Sequence, residues 1–121
     1  MYELKEITLK NKGYEKKRLV IRFFEEKYAI LAEFLMSDAK LLSNELELAF
    51  DKVQSDKADK IVLTGNRCAV EINKTKTEIT DLYEDLNQEG FQPLTISTES
   101  FQRYVNMWQK NLIEFNQINN K

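Results

Sequence analysis

The chain has 121 residues and a mass of 14.3 kDa, with 42% hydrophobic and 31% charged residues; this is the composition of a globular domain with room for one core, so residues 1–121 are read as a single domain. It contains no histidine, which removes Ser-His-Asp and Cys-His nucleophile pairs, His-ligated zinc and any side chain whose unperturbed pKa lies near neutrality. Lys and Arg total 18 against 20 Asp and Glu, and a formal net charge of −2 gives no global basic field to draw nucleic acid or anionic lipid.

Tyr2 to Lys10 reads as a strand, followed by an Asn11-Lys12-Gly13 turn and an apolar stretch, Leu19 to Phe24, that pairs back as a hairpin. With Glu25-Glu26 as the next loop, Phe23 faces Tyr28, Ile21 faces Ile30 and Leu19 faces Ala32, which predicts a third strand over residues 27–36. Glu-Glu lacks the positive-φ residues that tight hairpins use, and the same run also fits a helix. As a strand it leaves Val20, Phe24, Ala29, Leu31 and Leu35 on an apolar second face that needs cover from this chain, a second copy or a partner. Ser37 or Asp38 offers an N-cap for a helix to about Gln54, with a stripe of Leu42, Leu46, Ala49 and Val53 widened by Leu41 and Phe50.

Gly65-Asn66 is a preferred two-residue hairpin loop; it joins Ile61 to Thr64 with Arg67 to Ile72 and sets Leu63 opposite Cys68 and Ile61 opposite Val70. A turn around Asn73 to Lys76 then places Thr77 opposite Ile72 and Ile79 opposite Val70. After an acidic stretch through Gly90 and an extended segment around Pro93 to Ile96, Ser97 or Thr98 caps a final helix carrying Phe101, Tyr104, Val105, Trp108, Leu112 and Phe115 on one face. The expected fold is α+β and two-layered: a mostly antiparallel sheet of about six strands in the order βββαβββα, with two helices packed on one face.

Ser37-Asp38-Ala39-Lys40 matches the S-x-x-K pattern of serine penicillin-recognising enzymes, but S-D-N and K-T-G are missing and Ser37 reads as a helix cap. Cys68 has no histidine to activate it and reads as a small core residue. Asn73-Lys74-Thr75 is a glycosylation sequon that reads as a turn, and Asp81, Asp85, Asn87 and Glu89 miss the spacing of a calcium loop. No catalytic residue, metal site, cofactor or small-molecule substrate is expected, so the chain is read as a non-enzyme. One cysteine and an N-terminus without the apolar core of a signal peptide point to the cytoplasm, and the apolar run Tyr28 to Ala32 is too short to cross a bilayer.

The near-neutral net charge hides an asymmetry. Residues 1–30 carry eight basic side chains against five acidic, whereas residues 77–102 carry six acidic and no basic ones. The acidic stretch contains Tyr83, and an acidic patch with an aromatic suits docking on a basic protein surface; Glu78, Asp81, Tyr83, Glu84, Asp85 and Glu89 are therefore the candidate partner-binding residues. The basic segment with Tyr14, Phe23 and Phe24 suits RNA phosphates and bases. A pI near 5.3 and the lack of an RNP, KH or Gly-rich phosphate motif count against direct nucleic-acid binding.

This layout resembles small bacterial YacL-like proteins and the immunity proteins of contact-dependent growth inhibition and related polymorphic toxin systems. Leu19 to Val53 is similar to their apolar strands followed by a leucine-rich helix, Thr64 to Val70 to their T-x-x-x-x-x-V hairpin region, and Phe101 to Val105 to their F-x-x-x-V ending. The resemblance implies a cytoplasmic inhibitor that binds a cognate toxin domain, often a nuclease, and blocks its active site. The alternative is a small homodimeric scaffold or nucleic-acid-associated adaptor.

Overall fold

Strands β1 (Tyr2–Asn11) and β2 (Tyr14–Phe23) form an antiparallel hairpin in the computed structural model, which describes residues 1–83 and 90–119. Asn11 and Tyr14 close the hairpin around Lys12 and Gly13, both at positive φ (38° and 94°), the handedness that matches strand twist. The distal half of the ribbon is exposed, and only Leu19, Ile21 and Phe23 bring β2 into the core.

Residues 27–36 are helical, which corrects the third strand expected there. A single 3-10 turn, Glu26–Tyr28, leads into α1 (Ala29–Ser37). Glu25 sits at φ −89°, so Glu25-Glu26 supplies no left-handed residue to reverse the chain. Ile30, Leu31, Ala32, Phe34 and Leu35 are all buried, which a helix enclosed on most of its circumference achieves and an alternating strand on a one-sided sheet does not. Phe23 still stacks on Tyr28, with ring centroids 5.5 Å apart. The apolar second face expected of that strand is broken up: Leu31 and Leu35 lie inside the same core, Val20 and Ala29 are half-buried, and Phe24 alone of the five is exposed, at 54%.

Helix α2 (Ser43–Gln54) starts later than a Ser37 or Asp38 cap requires. Ser37 Oγ donates to Glu33 Oε1 one turn back in α1 at 2.9 Å, so its expected capping role is corrected. Leu42, Leu46, Ala49, Phe50 and Val53 are buried as the stripe requires, while Leu41 is 59% exposed and does not belong to it.

The second sheet has the order β3 (Lys60–Thr64), β4 (Cys68–Asn73), β5 (Lys76–Asp81), β6 (Leu94–Ser97), antiparallel throughout. The β4–β5 register pairs Val70 with Ile79 and Ile72 with Thr77, as expected. Across β3–β4, however, Leu63 pairs with Val70 and Ile61 with Ile72, a shift of two residues from the tight Gly-Asn hairpin. A shift of two preserves side-chain facing, so the core is the same and only the loop is larger. Asn73 Oδ1 organises the β4–β5 turn by accepting from the Thr75 and Lys76 amides at 3.0 and 2.7 Å.

Helix α3 (Thr98–Asn119) is capped by Ser97, whose Oγ accepts from the Ser100 amide at 3.1 Å. Thr98 is instead buried; its hydroxyl donates to the Asn73 carbonyl at 2.6 Å and lies 2.8 Å from Thr77 Oγ1, tying α3 to the β4–β5 turn. Helix α1 packs against β2 and β5, α2 against β3 and β4, and α3 against β2, β5 and β6. Phe101 of α3 meets Phe34 of α1 and Phe50 of α2, with ring centroids 5.5 and 5.8 Å away. The result is an α+β fold of six antiparallel strands, as expected, with the strands divided between two sheets and three helices rather than two. Among the described residues no helix is long and apolar enough to cross a membrane.

Candidate interaction site

The chemistry-bearing residues converge on the β3–β4 loop. Asp38, fully buried after α1, accepts the amides of Asn66 (2.8 Å), Arg67 (3.1 and 3.2 Å) and Cys68 (2.8 Å). Three successive N–H groups around one carboxylate form an anion nest, filled here by the protein's own side chain. This is the physical reason for the enlarged loop and for the shifted register.

Asp81 faces the other side of the same loop. Its carboxylate accepts the Tyr83 and Phe91 amides, both at 2.9 Å, and Arg67 Nη2 at 3.1 Å. The guanidinium of Arg67 lies over the rings of Tyr83 (5.1 Å) and Phe91 (5.5 Å), and Tyr83 donates its hydroxyl to the Asn66 carbonyl at 3.0 Å. Burial raises the carboxyl pKa of Asp81, but the two amides and Arg67 outweigh it and hold the group below its ordinary value.

Cys68, between the two aspartates, is fully buried. Burial first, then the charges of Asp38, Asp81 and Glu33, push its thiol up to about 12 despite Arg67. That is the state of an inert core cysteine. Among the described residues no group of His, Cys, Asp or Glu side chains could hold a metal ion.

The six candidate contact residues therefore separate. Glu78 is exposed on the outer face of β5, and Tyr83 is 39% exposed at the end of that strand. Asp81 is only 3% exposed and its carboxylate is turned inward, so its place is structural. Glu84, Asp85 and Glu89 lie outside the described residues.

The outer face of the four-stranded sheet carries a feature the acidic-stretch reading missed. Glu71 of β4 stands directly opposite Glu78 of β5, with Val62 (55% exposed) and Thr95 completing the row across the sheet. Lys60 reaches Glu71 at 3.4 Å; Glu78 has no ion pair among the described residues. The register that pairs Val70 with Ile79 already implied Glu71 opposite Glu78, so the signal was available before the structure. No protein-family model matches the chain, nor does any curated protein or solved structure.

Proposed function

We propose that the chain is a non-enzymatic protein-binding module that sets the open face of its four-stranded sheet against a basic partner surface. The partner on this reading is a bacterial toxin domain, a nuclease, whose active site the module blocks in the cytoplasm. The observation that carries the reading is the Glu71–Glu78 pair. Like charges directly opposite each other on neighbouring strands destabilise a sheet, and solvent-facing strand positions are free to carry neutral residues instead. A local rule broken on an uncovered surface marks a place where binding outweighs stability. Lysines and arginines of a phosphate-holding cleft supply the counter-charge that Glu78 lacks, the exposed Val62 gives the face an apolar contact on its β3 edge, and Tyr83 stands on its rim.

The test is co-expression with the C-terminal domain of a secreted protein encoded immediately upstream. Protection of the host and co-purification at one-to-one stoichiometry are expected. Glu71→Lys with Glu78→Lys should weaken the complex at least about tenfold and remove protection. Unchanged binding by this double variant would overturn the assignment of the face.

A further inference from the structure

The basic hairpin offers a second surface, of opposite charge, on the far side of β2. A groove of about 450 Å³ runs between β2 and α3, and four consecutive β2 residues, Lys16 to Leu19, line it where β1 contributes only Leu9. The hairpin is a two-stranded sheet, so the second edge of β2 pairs with no strand among the described residues along this groove. The two-residue turn makes Asn11 and Tyr14 a hydrogen-bonded pair, and Leu9–Lys16 and Ile7–Arg18 follow in the same phase. The Phe24 amide, bonded to the Met1 carbonyl at 3.1 Å, keeps that phase to the end of the ribbon. Lys17 and Leu19 fall between these pairs and direct their N–H and C=O groups outward, away from β1.

We infer that this edge of β2 accepts an extended peptide of a partner protein, one that alternates acidic and apolar residues, as an added strand. Three observations carry the inference. The outward backbone groups at Lys17 and Leu19 supply the ladder bonds of strand addition. Lys16, Lys17 and Arg18, with Lys40 across the groove, have no ion pair among the described residues and select acidic side chains. The groove wall formed by Trp108, Leu112 and Phe115 takes apolar side chains, and the indole N–H of Trp108, itself 2% exposed, is a buried donor without an acceptor among the described residues. A second copy does not fit, because pairing β2 with itself brings Lys16, Lys17 and Arg18 of both copies together.

Trp108 is the sole tryptophan, so its emission reports on the groove directly. The probe is a synthetic peptide of alternating Glu and Val, titrated into the full chain with fluorescence and amide resonances followed together. A saturable change in Trp108 emission with movement of the Lys17 and Leu19 amides is expected. Methylating the peptide's backbone nitrogens along one edge should weaken binding at least about tenfold, and Lys16→Glu with Arg18→Glu should move the preference to a Lys-Val peptide. Absence of a saturable change, equal binding of the methylated peptide, or equal binding of the Lys-Val peptide to the unaltered chain would each overturn the inference. So would a random-sequence DNA duplex that displaces the peptide and moves the same resonances, which would make the edge a nucleic-acid contact.

Discussion

Asp38 and Gly65 are in contact so close that a side chain on the second would displace the first. A Cβ built on Gly65 lies 2.6 Å from Asp38 Oδ2, in the space the carboxylate needs to reach the loop amides. The glycine is required here by close approach rather than by a positive φ. Gly65→Ala should therefore cost about 1–3 kcal/mol, the usual range for overpacking a filled site. In a background carrying Asp38→Ala the same change should cost less, because the obstructing carboxylate is gone; chemical denaturation of the four chains measures the coupling.

Asp38→Ala alone strands the amides of Asn66, Arg67 and Cys68. Only the Cys68 bond is buried; the Asn66 and Arg67 amides are partly exposed, so water can replace the carboxylate there. A buried donor left without a partner costs about 1–3 kcal/mol, and a loss in that range is expected. Asp38→Asn keeps one acceptor oxygen and places an amide donor beside the others, and its loss should lie below that of alanine. A loss within about 0.5 kcal/mol for Asp38→Ala, the range of an ordinary surface change, would show that the nest is not the anchor of the loop.

Asp81 predicts an acid limb in the stability profile. Its folded-state pKa is lowered from 3.8, so its contribution is complete above that value and is lost as pH falls through the lower folded value. Asp81→Asn should remove this dependence: the difference in unfolding free energy between the two chains should be constant at neutral pH and shrink below about pH 4. A difference that grows on acidification would contradict the assignment.

Cys68 should not react with iodoacetamide in the native protein at pH 8, and should react fully once the chain is unfolded. Both the buried position and a thiol pKa of about 12 require this. Rapid native labelling would mean that the β3–β4 loop opens.

Glu78→Thr should stabilise the fold while weakening partner binding. Removing one of two carboxylates set opposite each other should gain about 0.2–1 kcal/mol, and the gain should fall as salt is raised. A residue held for stability would give the opposite sign, so thermal unfolding separates the two roles.

Much of this molecule follows from side-chain period alone. The β1–β2 hairpin, the β4–β5 register, the stripe of α2, the apolar face of α3 and the inert Cys68 are local patterns, because residues two apart on a strand or three and four apart on a helix share a face. Glu71 opposite Glu78 belongs with them. Residues 27–36 do not: a run that is apolar at nearly every position satisfies both periods, and burial of most of its circumference against β2, β5 and α3 decides for the helix. The β3–β4 loop was equally out of reach, since Gly65-Asn66 satisfies the tight hairpin and nothing local announces that Asp38, 28 residues before Asn66, will bind its amides. The sequence by itself determined an α+β chain without imidazole chemistry and with its charge divided between two segments. Tertiary structure alone decided which carboxylates find donors: Asp81 meets Arg67 and the Tyr83 and Phe91 amides and Asp38 the amides of the β3–β4 loop, while Glu78 has no ion pair among the described residues. A carboxylate's availability depends on donors brought to it from distant parts of the chain, and that is a property of packing.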